Sequence, residues 1–226
     1  MQHVNGPSWR SWAGIGIILL IAVLAGCGGL QETWEGPGAS AFRPGSIAVL
    51  PPIIGALEGS REIAHEVVTT ALKKAKRYSE IMDPEQVNDF LINSNDARET
   101  FAKLLSTLES TGLSEQEAAV KLGKALKVDS LLVVRVNSWE YRRSEGENAA
   151  RVGLSMRLID TKHGAIIWKG RHEKSKTYMF FKPNLKDMAT DLSEYRIKYI
   201  TRRRSSFIVL RETSDHTPLP LSRFTP

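Results

Sequence analysis

The chain has one cysteine, Cys27, among 226 residues. A lone thiol excludes a disulfide framework within the chain and a thiolate cluster for zinc or iron. Acidic residues are absent before Cys27, where the one basic residue is Arg10. Beyond residue 26 no apolar run approaches the roughly 20 residues of a membrane-spanning helix. Histidine is sparse there too: His65, His163, His172 and His216. None is spaced as a helical metal pair, and no His-Glu-x-x-His, P-loop or Gly-x-Ser-x-Gly occurs, so neither metal nor cofactor chemistry is expected. Gly14-Ile15-Gly16 lies in the apolar leader and carries no dinucleotide meaning. His65 beside Glu66 is the one pair to weigh as an acid–base couple, and an ordinary helix position explains it as well. His163 falls in a turn, where polarity alone accounts for it. The expectation is a protein that is not an enzyme and has no small-molecule substrate.

What is present begins at the start of the chain. An uncharged stretch, Ala13 to Val23, follows Arg10 and ends in Leu24-Ala25-Gly26-Cys27. A charged start, a short apolar core and small residues before a cleavage point make a secretory signal. The uncleaved alternative, a membrane anchor, needs about 20 apolar residues, and this core is shorter before the Gly-Cys-Gly-Gly break. Leu24, Ala25 and Gly26 directly before Cys27 resemble the lipobox of bacterial lipoproteins. The resemblance implies cleavage after residue 26, a diacylglycerol on the Cys27 thiol and an N-acyl chain on the new terminus. Several acyl chains hold a protein durably, at about 0.8 kcal/mol per buried methylene. The residue after Cys27 is Gly28 rather than Asp, which by the same resemblance implies the outer membrane, facing the periplasm.

The formal net charge is +6. The tail concentrates much of it: Arg202, Arg203, Arg204, Arg211 and Arg223 stand against Glu212 and Asp215. The body is close to neutral and shows no basic face interleaved with stacking aromatics, so no nucleic-acid partner is expected. Lys73, Lys74, Lys76 and Arg77 suit the solvated C-terminal end of a helix.

Residues 27–45 read as a lipidated terminus and flexible tether, rich in Gly, Pro, Ser and Ala. As a coil, 28–45 would span about 25 Å root-mean-square. An α+β domain is expected over 46–200. Ser46 to Pro51 reads as a buried strand stopped by Pro51-Pro52. Ile63, Val67, Val68, Ala71, Leu72 and Ala75 repeat at helical spacing after Ser60, a candidate N-cap. Tyr78 to Met82 suits a short strand. Asp83-Pro84-Glu85-Gln86 is a capping box opening a second helix. Asp96 with Glu99, and Ser114 with Glu117, suit the starts of a third and a fourth, with Leu113 placed to staple onto Ala118.

The period then changes. Leu131 to Val134 is a buried run. Val152, Leu154, Met156 and Leu158 alternate with polar residues, giving a strand with one dry face. Asp160 to Gly164 is a hairpin turn, and Ala165 to His172 the returning strand. Asn184 to Ile200 suits a last helix. These elements make a mixed or antiparallel sheet with helices packed on it. Residues 201–226 continue no stripe and read as a poorly ordered tail, or as what a frame-shifted end would look like.

Three segments carry a family resemblance: Ile47-Ala48-Val49-Leu50-Pro51-Pro52, Leu122 to Asp129 running into Leu131 to Val134, and Leu154 to Asp160 with Gly164 and Ile166-Ile167-Trp168. They resemble periplasmic lipoproteins of the group that includes the amino-terminal domain of TolB, CsgG and LpoB. The resemblance spans roughly 46–175. It implies a lipid-anchored interaction protein in envelope assembly or maintenance, with the membrane and either an envelope protein or further copies of itself as partners. The alternative it leaves open is an oligomeric secretion or transport channel of the CsgG kind. No spare pair of membrane strands is visible for that. Tyr178, Phe180 and Phe181, outside the regular strands and next to Pro183, are the candidate partner-binding residues.

Overall fold

A computed structural model describes residues 31–55, 57, 59–144 and 147–201. Its elements in order are β1 (Gln31–Glu35), β2 (Ser46–Val49), α1 (Ser60–Ala75), β3 (Glu80–Met82), α2 (Pro84–Asn93), α3 (Asn95–Thr111), α4 (Gln116–Leu126), β4 (Ser130–Ser144), β5 (Glu147–Asp160), β6 (Ile166–Tyr178) and α5 (Leu185–Thr201). The strands form one mixed sheet in the order β1-β6-β5-β4-β2-β3. β2 pairs in parallel with β3 and β4, while the pairs β4–β5, β5–β6 and β6–β1 are antiparallel. The fold is α+β, as the change of period at residue 129 predicts.

Alternation along the strands builds two cores. Ile47, Val49, Leu132, Val134, Val152, Leu154, Met156 and Trp168 face α1 and α5. Ala48, Leu50, Leu131, Val133 and Ile159 face α2, α3 and α4. Helix α5 lies along α1, tied by Lys186–Glu66 at 2.7 Å and Lys74–Glu194 at 2.8 Å. Both pairs are exposed, so packing rather than charge holds the helices. A bulge between Val136 and Ser138 resets the register of β4. The extra residue lets Val136 and Trp139 both reach the first core, which strict alternation forbids.

The Asp83 capping box forms: Asp83 Oδ1 accepts from Gln86 N at 3.0 Å, and Gln86 Oε1 from Asp83 N at 2.9 Å. The other expected caps shift by a residue or two. Ser60 is the first residue of α1, preceded by Gly59, and its hydroxyl donates to Leu57 O. Ser94 rather than Asp96 caps α3, accepting from Ala97 N. Glu115 rather than Ser114 caps α4, accepting from Ala118 N at 2.5 Å while paired with Lys103 at 3.0 Å. Leu113 forms no staple; it is exposed.

The expected tether needs correction. Gln31–Glu35 is an edge strand on β6, and Gly36 N continues the pairing to Ile167 O. Gln-Glu-Thr-Trp-Glu has no apolar alternation, so nothing local marks it as a strand. A buried arginine from α5 helps hold it: Arg196 Nη1 donates to Thr33 Oγ1 at 2.8 Å, and Nη2 to the Arg171 carbonyl. The signal segment, Leu24 to Cys27 and residues 202–226 lie outside the described residues.

Candidate functional site

The three long strands β4, β5 and β6 set two ends to the sheet. At one end Asp160–Gly164 joins β5 to β6, with Gly164 at φ +69° and its NH donating to Asp160 O at 2.8 Å. The turn presses on the start of α4; a Cβ at Gly164 would lie 2.4 Å from Gln116 O. At the other end β4 turns into β5, where Arg143 pairs with Asn148, and β6 stops at Tyr178 opposite the same Asn148.

That second end gathers the aromatic residues. Tyr178 is half-buried and packs on the first core. Its ring meets Tyr141 edge to face, with centroids 6.1 Å apart and planes at 86°. The Tyr141 hydroxyl donates to Pro183 O at 2.8 Å, and Lys182 Nζ lies 5.1 Å from the centre of its ring. These contacts close a short loop, residues 179–184, between β6 and α5. The loop holds its apolar side chains in solvent: Met179 is 86% exposed, Phe180 88% and Phe181 90%. Three consecutive large apolar side chains thus stand in water, out of the core. The three predicted site residues therefore divide. Phe180 and Phe181 are exposed surface, joined by Met179 of the same run. Tyr178 is a structural support beneath them.

Sequence reasoning also missed a cationic strip on the outer face of the sheet. Arg135, Arg157, Lys169 and Arg171 continue the face that begins with Leu131, Val133 and Ile159. Burial, and then the neighbouring Arg135, pull the Arg157 pKa down. Lys169 Nζ lies 5.0 Å above the ring of Trp34, and Glu109 pairs with Arg135 at 3.0 Å. The signal was available: these residues are the polar partners of the dry alternation.

The histidines stay apart. His65 is half-buried on α1, where burial lowers its pKa, and Glu66 pairs instead with Lys186. His163 Nδ1 is 2.5 Å from Asp160 Oδ2 within the turn. His172 packs on Tyr195 at 5.5 Å, its pKa lowered by burial and then by Arg196 and Lys174. Among the described residues no three His, Cys, Asp or Glu side chains are grouped to hold a metal, and no helix is long and apolar enough to cross a membrane.

No protein-family model matches the chain, and no curated protein does. Its fold is nevertheless shared with a solved structure. The PelC dodecamer from Paraburkholderia phytofirmans is similar at a TM-score of 0.51 and 16% identity, over 78% of this chain and 99% of that one. A hypothetical protein from Chlamydia trachomatis is similar at a TM-score of 0.49 and 11% identity, over 69% of this chain and 97% of that one. A lipoprotein from Neisseria meningitidis is similar at a TM-score of 0.42 and 18% identity, over 69% of this chain and 99% of that one.

Proposed function

We propose that this chain is a lipid-anchored envelope protein that acts by contact and not by catalysis. Cys27 carries a diacylglycerol and an N-acyl chain, and the protein sits on the periplasmic face of the outer membrane, in envelope assembly or maintenance. Its contact surface is the aromatic end of the sheet, with Phe180 and Phe181 as anchors on the platform of Tyr178 and Tyr141. The observation that carries this reading is the exposure of Met179, Phe180 and Phe181 on a loop fixed at both ends. The experiment is crosslinking of the full chain in envelopes. Phe180→Ser/Phe181→Ser should remove a crosslinked species that wild type forms; an unchanged pattern would place the contact surface elsewhere.

A second reading is supported by the similarity to PelC, which was solved as a dodecamer. The chain would then work as a ring, the oligomeric alternative left open by the sequence. Light scattering on the detergent-solubilised full chain separates a monomer from a ring.

A further inference from the structure

We propose that the loop of Met179, Phe180 and Phe181 inserts into the same lipid leaflet that holds Cys27, giving the protein a second membrane contact and one fixed orientation. The inference rests on the proposed lipidation of Cys27 and names the partner of the aromatic end.

Chain direction supports it first. β1 is antiparallel to β6, with Gln31 opposite His172 and Glu35 opposite Trp168. The polypeptide therefore enters β1 from the side of the sheet where β6 ends at Tyr178. Length supports it second. From Cys27 to Gln31 is four residues, a reach of at most about 14 Å. From the level of His172 to that of Tyr178 is six strand residues, about 20 Å. A tether drawn out toward the aromatic end leaves that end about 6 Å past the lipidated residue, a depth within the interfacial layer that monotopic elements occupy. The opposite end starts with Ile166, six residues from His172 the other way. A tether of this length falls short of it and would have to double back.

Chemistry supports it third. The protruding side chains are apolar and consecutive, and Lys182 follows them directly. A lysine there can lay its methylenes along the apolar surface and keep its ammonium among headgroups. Arg142, Arg143, Lys176 and Lys182 share this end with Glu140 and Glu147, a small net positive charge that is secondary to the apolar side chains. The contact is apolar in origin and should change little with salt.

The test uses the full chain, expressed with its leader, purified from membranes and reconstituted into phosphatidylethanolamine–phosphatidylglycerol vesicles. Thiol titration of the unaltered protein comes first: a blocked Cys27 is expected, and one free thiol overturns the anchor reading. With Cys27 blocked, Phe181→Cys carries the only reactive thiol and takes an environment-sensitive fluorophore. Leu113→Cys, on the exposed residue near the opposite turn, is the control. Lipids bearing a nitroxide should quench the label at 181 several-fold more than the label at 113, in low and high salt alike. Equal quenching overturns the insertion while leaving the lipid anchor standing. Equal quenching together with loss of an oligomer in Phe180→Ser/Phe181→Ser assigns the loop to a second copy of the chain instead.

Discussion

Asp129 and Ser46, 83 positions apart, hold each other's backbone. Asp129 Oδ2 accepts from Ser46 N at 3.0 Å and from Gly45 N at 2.8 Å, and Ser46 Oγ accepts from Asp129 N at 2.9 Å. The clasp fixes where β2 and β4 begin their parallel pairing, which no hairpin can set. The backbone hydrogen bond from Ser46 leads the causes that hold the Asp129 pKa below the usual carboxylate value.

Removing that clasp should be measurable and pH-dependent. Asp129→Asn should destabilise by about 1 kcal/mol at pH 7, a modest figure because the carboxylate is exposed to solvent. A depressed pKa in the folded state contributes stability above the unfolded value, and that contribution is lost as pH falls through the folded value. Urea melts of wild type and Asp129→Asn should therefore converge below about pH 4. A gap that stays constant down to pH 3 would show that the charge contributes nothing.

Gly164 is constrained twice, by φ +69° and by Gln116. Gly164→Ala should cost about 2 kcal/mol or more, and Gly164→Val more still. Gly112, at φ +74° with open space around its Cβ position, serves as the comparison. Gly112→Ala should cost only about 1 kcal/mol, for the backbone alone. Equal losses in denaturant melts would remove the packing argument.

Arg196 is fully buried and reaches both Thr33 and the Arg171 carbonyl. Arg196→Met keeps most of the packing volume and removes these hydrogen bonds. Amide exchange should accelerate in β1, at the β6-facing amides of Trp34 and Gly36, with little change in β4 and β5. Uniform acceleration across the sheet would mean that Arg196 supports the whole core rather than the edge.

The aromatic end should separate into surface and support. Phe180→Ala/Phe181→Ala should change stability by no more than about 0.5 kcal/mol, because exposed side chains away from packing features are near neutral. Tyr178→Ala should cost about 1–2 kcal/mol through its contacts with Tyr141 and the core. Thermal melts of the two variants measure the difference directly. If the double phenylalanine variant melts lower than Tyr178→Ala, the loop is folded onto the domain.

Cys27→Ser should abolish labelling by radioactive palmitate and leave the leader uncleaved. Unchanged labelling would remove the lipid anchor and the orientation that follows from it.

The sequence by itself determined the features that depend on neighbours in the chain. Asp83 with Gln86, the stripe from Ile63 to Ala75, the dry alternation from Val152 to Leu158 and the turn at Gly164 were all legible, because their partners lie within a few residues. The caps of α3 and α4 differ from the local expectation because several polar residues compete within one turn, and the hydrogen-bond geometry that selects Ser94 and Glu115 is fixed only by packing. Phe180 and Phe181 were legible as an irregular aromatic segment. Only the folded chain separates them from Tyr178, since burial depends on Tyr141, which reaches Pro183 from 42 positions away. β1 was invisible for the same reason. Its five residues have no apolar period, and a buried arginine 163 positions later bonds it. Tertiary structure decided which end of the sheet faces the start of the chain, because strand direction follows from pairing with β6, a contact that no local pattern encodes.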